Sequence, residues 1–291
     1  MSQLQHTQTQ KPGWSLDRRD PKFIESIMPL LEILYNFYFR VETSGWENVP
    51  EGKILVVASH NGGLASPDTS MMMYDWIRRF GTQRPIYGLM HPKAWELFPQ
   101  IAEFVMKGGA VMAHPKMAYA AFRTGASVLV YPGGAEDVFR PHKMRDKIYF
   151  AERRGFIKLA LRENVPIVPA ISWGAHDTLI ILADLYKTMH KFHKMGMPWL
   201  FGVDPLVFPV YLGLPWGLAL GPWPNIPFPV SIHTRVCPPI IFERYGREAA
   251  CDRNYVDECY ELVKSKMQQE LDNLIANVRG DIYHKLSAFN N

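Results

Sequence analysis

A chain of 291 residues, 47% hydrophobic, 21% charged and 13% aromatic, carries enough apolar material for a sizeable core. That balance excludes a disordered or fibrous protein. A formal net charge of +4 is mildly basic, which suits an anionic membrane surface or a phosphate-bearing substrate without selecting either.

Residues 1–20 read as a flexible arm, and Met1–Trp14 is polar, so no secretory leader is expected there. Phe23–Arg40 is apolar, with only Glu25, Glu32 and Arg40 charged and Pro29 in its middle. This predicts a kinked helix or helix pair within an N-terminal apolar region, residues 21–45. Packing on the domain and lying in the headgroup region of a bilayer are both open for it. Lys53–Ala58 has the β-branched run of a buried parallel strand and ends at Ser59-His60-Asn61-Gly62-Gly63. Pro67-Asp68 then opens a helix reaching about Phe80. Ile86–Met90 reads as a strand, followed by helical stretches to about Lys107 and, beyond Gly108-Gly109, a helix around Ala118–Arg123. Ser127–Tyr131 is a strand stopped by Pro132-Gly133-Gly134.

Ala151–Arg162 is expected to be helical, and Pro166–Ser172 and Val230–Val236 to be strands. Asn254–Val278 has the periodicity of a long amphipathic helix. Between them, Pro205–Thr234 contains no charged residue, which on hydropathy alone would suggest a membrane span. Its seven prolines, with Gly213, Gly217 and Gly221, forbid the regular helix a span requires. A buried or interfacial apolar segment is expected instead, with Trp199, Leu200, Phe201, Trp216 and Trp223 among the residues lining an acyl groove, forming an interfacial patch or packing as a Pro-rich core loop. Strands alternating with helices predict an α/β fold, layered αβα around a largely parallel or mixed central sheet, with residues 21–291 forming a single domain.

Cys237, Cys251 and Cys259 are too few for a disulfide framework, and none has a Cys-x-x-Cys spacing, so a reducing compartment is expected and no metal. In open α/β sheets, ligands gather at the carboxyl ends of strands. His60 and the Gly133-Gly134 turn both fall at such ends. A histidine there titrates near working pH and can take a proton from an attacking hydroxyl, while a carboxylate on its far ring nitrogen fixes the tautomer. Asp68 is the carboxylate at hand, and it is also a natural helix cap. A lone histidine is more often structural, and Pro-Gly-Gly is ordinary turn chemistry, so neither feature decides a function alone.

Taken in order, these segments resemble the glycerolipid acyltransferases, the superfamily that includes lysophosphatidic acid, monoacylglycerol and diacylglycerol acyltransferases. The first matching block is Val57-Ala-Ser-His-Asn-Gly-Gly-Leu-Ala-Ser-Pro-Asp68, and the third is Val130-Tyr-Pro-Gly-Gly-Ala-Glu136. The fourth is Arg153-Arg-Gly-Phe-Ile-Lys-Leu-Ala-Leu-Arg162 running into Val165-Pro-Ile-Val-Pro-Ala-Ile-Ser-Trp-Gly174. The resemblance implies His60 as general base, with Asp68 supporting it. It implies Gly133, Gly134, Glu136, Arg153, Arg154 and Lys158 as substrate-binding residues. The reaction it implies is direct transfer of a fatty acyl group from acyl-coenzyme A or acyl carrier protein to a lipid hydroxyl, such as that of a lysophospholipid or a mono- or diacylglycerol. The donor thioester is a co-substrate and no cofactor is implied. The expected partners are the donor, the lipid acceptor and the cytoplasmic face of a membrane, held peripherally or monotopically; no nucleic acid is expected.

Two departures from the family pattern bear on the acceptor. Seven residues separate His60 from Asp68, where the widespread form has four, and this longer spacing looks like the monoacylglycerol-type branch. The second block, Gly109-Ala-Val-Met-Ala-His-Pro-Lys116, lacks the arginine that usually meets an acceptor phosphate, leaving His114 or Lys116 as substitutes, or an acceptor without phosphate. Arg154, Lys158 and Arg162 at four-residue spacing, and the basic loop Arg140, His142, Lys143, Arg145 and Lys147, are further candidates for phosphates or anionic lipid. A lipid or thioester hydrolase, a non-catalytic lipid-binding protein on the same scaffold, and a wax- or phytyl-type ester synthase remain alternatives.

Overall fold

The computed structural model describes residues 11–97, 99–199 and 202–289. Its centre is a seven-stranded sheet built from β1 (Glu42–Ser44), β2 (Leu55–Ala58), β3 (Ile86–Met90), β4 (Ala110–Met112), β5 (Ser127–Val130), β6 (Ile167–Trp173) and, late in the chain, β10 (His233–Val236). The order is β1-β10-β6-β2-β5-β3-β4. Every pairing is parallel except that of β10 with β6. Three further strands, β7 (Ile180–Asp184), β8 (Pro209–Gly213) and β9 (Gly217–Leu220), form a separate antiparallel sheet. The fold is mixed α/β with a mostly parallel central sheet.

The run read as β2 is apolar throughout because both faces of the sheet are covered. Leu55 and Val57 point into one core with Val128, Ile167 and Ile171, closed by helices α5 (Pro115–Arg123), α7 (Gly155–Glu163) and α10 (Arg253–Phe289). Ile54, Val56 and Ala58 point into the other with Leu129 and Val168, closed by α1 (Pro21–Ile33) and α2 (Pro67–Phe80). The connections α3 (Pro92–Leu97) and α4 (Pro99–Lys107) lie between β3 and β4, and α6 (Gly134–Val138) follows β5. α8 (Tyr186–Lys194) lies between β7 and β8, and α9 (Arg247–Cys251) precedes α10. The parallel strands bring the ends of β2 and β5 side by side, Val57 pairing with Val130, which sets His60 beside the Gly133-Gly134 turn.

Several expectations shift at their edges. Residues 11–20 of the N-terminal arm are docked: Met112 donates its N–H to Gly13 O at 2.8 Å, and Asp20 caps α1 through Lys22 N and Phe23 N. The apolar stretch after them is α1 continued by a π-helical turn, Leu34–Tyr38, with Pro29 inside α1. The helix expected from Ala151 begins at Gly155, because Ala151 and Glu152 take positive φ in a tight turn. The segment Pro205–Thr234 supplies the β8–β9 hairpin. Leu200 and Phe201, expected to line an apolar groove, lie outside the described residues. No helix among the described residues is long and apolar enough to cross a membrane.

The second sheet is an excursion between neighbours. β6 and β10 pair directly, Trp173 opposite His233, and the chain between them leaves the main sheet to build β7, β8 and β9. At the neck, a Cβ on Gly174 would sit 2.1 Å from Ser231 O, and Gly174 has φ +86, so only glycine fits where the outgoing and returning strands pinch together. Inside, Leu179, Ile181, Val207 and Tyr211 pack with Val138 and Phe139 into a small core of their own.

Trp76 is fully buried and donates Nε1–H to Arg84 O at 2.8 Å. Trp76→Ala is expected to cost about 3–5 kcal/mol, the usual range for emptying a buried aromatic site, read as a lowered urea midpoint at unchanged slope.

Candidate active site

The helix α2 starts at Pro67, one residue ahead of Asp68, so Asp68 sits in the first turn rather than at the cap, which Ser66 occupies with φ +41. From there its buried carboxylate turns back on the β2 loop. Oδ2 accepts the Asn61 N–H at 2.7 Å and lies 3.3 Å from His60 Nδ1, while Oδ1 accepts the Thr69 N–H at 2.8 Å. The long His60–Asp68 spacing is therefore absorbed by one 3₁₀ turn, Gly63–Ala65, and the pair meets. Asp68 as acceptor requires the proton on Nδ1, which leaves Nε2 of His60 to act. The imidazole stacks on the Tyr131 ring, centroids 4.2 Å apart, so its plane is held from a second direction.

Gly133 and Gly134 follow Tyr131 directly. A Cβ on Gly133 would lie 2.3 Å from both Asp137 Cβ and Tyr149 O, so the turn is closed to any side chain. Gly134 donates its N–H to Tyr131 O at 3.1 Å. Arg153 reaches the carbonyls of Pro132 and Gly133 and pairs with Glu136. The structure thus brings His60, Asp68, Gly133, Gly134, Glu136 and Arg153 to the carboxyl ends of β2 and β5. It places Arg154 and Lys158 elsewhere. Arg154 pairs with Asp257, lies over the Tyr260 ring at 4.6 Å, and with Lys158 and Arg253 lines a cleft against α10.

The basic loop after the glycines behaves differently from expectation. Arg140 is buried to 3% exposure and cannot present itself to phosphate or lipid. Its guanidinium donates to Asp137 Oδ1, His60 O and Asn61 Oδ1, each at 2.7 Å. The other Asp137 oxygen accepts the His60 N–H at 2.8 Å. His60 is thereby gripped at both its backbone N–H and its carbonyl by one buried ion pair. His176 donates Nε2–H to Arg140 O at 2.9 Å; burial, with Arg140 adjacent, holds it well below the ordinary histidine value and so neutral. His142 and Arg145 face Asp177. Asp137, Asn61 and His176 were not singled out from the sequence, where an aspartate in a Glu-Asp pair and an isolated histidine carry no distinguishing signal.

His114, offered as a substitute phosphate ligand, instead caps α5 through Lys116 N and lies against the Trp14 ring, centroids 5.0 Å apart.

The sequence model of the diacylglycerol acyltransferase family matches residues 97–269, more than half of the chain. An uncharacterized protein of Mycobacterium bovis is 30% identical over 263 residues, which is 89% of this chain and 69% of that protein. The chain belongs to the diacylglycerol acyltransferase family. This places it in the glycerolipid acyltransferase superfamily. The human 2-acylglycerol O-acyltransferase 3 is 29% identical over 119 residues, 40% of this chain and 33% of that protein. The crystal structure of the 1-acyl-sn-glycerophosphate acyltransferase PlsC from Thermotoga maritima aligns with a TM-score of 0.46 at 16% identity, over 84% of this chain and 79% of that one. The matched family region contains the Gly133-Gly134 turn and Arg140; His60 and Asp68 precede it.

Burial pushes the Asp137 carboxyl up to about 6, against the pull of Arg140. A carboxyl raised in the folded state contributes most to stability in acid, and that contribution fades as pH rises from the ordinary 3.8 to about 6. The difference in unfolding free energy between wild type and Asp137→Asn is therefore expected to decline across that window and level off above it, measured by urea unfolding at a series of pH values. Arg140→Met leaves a buried carboxylate without its partner and is expected to cost about 3–5 kcal/mol at neutral pH in the same assay.

Proposed function

We propose that this acyltransferase moves a fatty acyl group from an acyl thioester, carried on coenzyme A or acyl carrier protein, to the hydroxyl of a glycerolipid, with His60 as general base. The observation that carries this reading is the His60 Nδ1···Asp68 Oδ2 contact of 3.3 Å at the carboxyl end of β2, beside the glycine turn. Nε2 takes the proton of the acceptor hydroxyl as its oxygen forms the bond to the thioester carbonyl carbon. The carbon–sulfur bond breaks, and the imidazolium returns the proton to the departing thiolate. Asp68 stabilises the charged imidazole while it carries that proton. Backbone N–H groups of the turn other than that of Gly134, which is bonded to Tyr131 O, are the candidates for the oxyanion.

A neutral acceptor, a mono- or diacylglycerol, is favoured over a phosphate-bearing one. Arg153 and Arg154 each already face a carboxylate, Glu136 and Asp257, and His114 is committed to α5. A phosphate clamp usually relies on an uncommitted arginine fork. The name of the human relative, 2-acylglycerol O-acyltransferase 3, agrees with this choice. Reaction at a membrane face, with residues 21–291 acting as one domain, completes the reading.

Purified wild type and His60→Ala are to be compared with radiolabelled palmitoyl-coenzyme A and, in parallel, lysophosphatidic acid, monoacylglycerol, diacylglycerol and a long-chain alcohol. The expected result is labelled ester on the acylglycerols, falling by about 10²–10⁴ in His60→Ala while the fold is retained by circular dichroism. Equal rates in the two proteins would remove His60 from the chemistry, and free fatty acid as sole product would make the protein a hydrolase.

A further inference from the structure

The outward face of the second sheet is apolar where an antiparallel sheet ordinarily turns polar side chains to water. Its β8–β9 register is unbroken, and the β7–β8 register shifts once, between Ile181 and Ala183. Ile181, Tyr211 and Ala219 lie on the inner face, with Ile181 and Tyr211 in the small core and Ala219 packed against it. On the outer face Ile180 pairs with Leu212 and Leu212 with Leu218, and Val210 pairs with Leu220. Leu218 is 69% exposed, Leu220 55% and Leu212 44%. Trp216, at the hairpin turn, is exposed, with Nε1–H donated to Pro224 O at 2.7 Å and its ring 6.5 Å from that of Trp223. Exposed apolar residues in a contiguous array mark a surface that is covered in use.

Two neighbouring features say what covers it. α8 leaves the end of β7, with Leu185 N donating to Phe208 O, and no acidic residue occurs from Leu185 to Val203. Lys187, Lys191 and Lys194 stand exposed along it at intervals of four and three, a single stripe of positive charge. A protein partner for a flat apolar sheet need not be acidic; a bilayer with anionic headgroups matches both the apolar face and the lysine stripe. The second feature is the chain 226–231, which ties the sheet to the N-terminal helix. Ile226 N donates to Leu214 O and Phe228 N to Thr178 O, while Tyr38 Oη and Arg40 donate to the carbonyls of Pro227 and Pro229. On that helix Leu30, Ile33 and Phe37, spaced by three and four, are exposed as well.

We propose that the outer face of β7–β8–β9, flanked by the lysines of α8, is the surface on which the protein docks to an anionic lipid bilayer. This rests on the reading above that the acceptor is a lipid drawn from a membrane. The sheet also touches the catalytic loop: Asn225 Oδ1 accepts the Ala65 N–H, and Leu64 packs against the small core under the sheet. The sheet that meets the bilayer on its outer face thus packs through its inner face against the His60 loop.

The test is flotation with vesicles of phosphatidylcholine, with and without phosphatidylglycerol, using wild type, Leu218→Glu/Leu220→Glu and Lys187→Gln/Lys191→Gln/Lys194→Gln. Wild type is expected to bind the anionic vesicles at least about tenfold more tightly than the neutral ones. The leucine pair should lower that affinity at least about tenfold, and the lysine triple about a hundredfold, with its salt dependence lost. Turnover of a short-chain, water-soluble acyl donor and acceptor should be unchanged in both variants, since none of these residues touches His60. Flotation of the leucine pair at the wild-type level overturns the proposal. So does a wild-type dimer in sedimentation equilibrium that the leucine pair converts to monomer while vesicle binding persists, which would make a second copy the occupant. Absence of acyl transfer to any acceptor bears on the proposed chemistry alone, because vesicle binding is read without it.

Discussion

A guanidinium held inside a protein has no water to satisfy it and must find acceptors among its neighbours. Arg140 finds them on two pieces of chain: its own stretch, through Asp137, Met144 O and Arg145 O, and the loop after β2, through His60 O and Asn61 Oδ1. With Asp137 accepting the His60 N–H, the loop that carries His60 is fastened to the loop that carries the glycine turn. The two lie side by side because β2 and β5 pair in parallel. What the pairing brings near, the ion pair locks in register. Replacing such a pair by apolar side chains often leaves stability intact, so its value here lies in positioning.

The arrangement separates two tasks that a sequence motif runs together. Asp68 addresses the His60 ring, and Asp137 addresses its backbone. One selects the tautomer, and the other determines where the ring hangs. Tyr131 adds a third constraint by stacking on the imidazole face. The Gly133 position closes the set, since Asp137 can approach the turn only because no side chain stands there.

The parallel core was legible because buried strands announce themselves as uninterrupted apolar runs, as Leu55–Ala58 and Ser127–Val130 do. His60, Asp68 and the glycines, each ordinary alone, are legible because they fall in ordered blocks along the chain, and the structure brings them together. The burial of Arg140 is not legible: a basic residue among Arg, His and Lys reads as solvated, and only long-range contact shows that it is buried. The β8–β9 hairpin escaped notice for a related reason. Its prolines and glycines sit at the strand ends and turns, Pro209, Gly213 and Gly217, which breaks any local period. Arg154 and Lys158 belong to the fourth block of the resemblance together with Arg153, but Arg153 turns to the Gly133 carbonyl and Arg154 to Asp257 on α10.

The pinched neck at Gly174 and Ser231 has a bearing on how such a scaffold diversifies. Because β6 and β10 are already hydrogen-bonded partners, everything from the neck outward hangs from two adjacent points on a finished sheet. The excursion's inward residues are committed, His176 to Arg140 O and Asn225 to the Ala65 N–H, so it is the outward residues that can change while the His60–Asp68 pair keeps its geometry. The outward face is thus an exchangeable cassette, with a single glycine as its clasp.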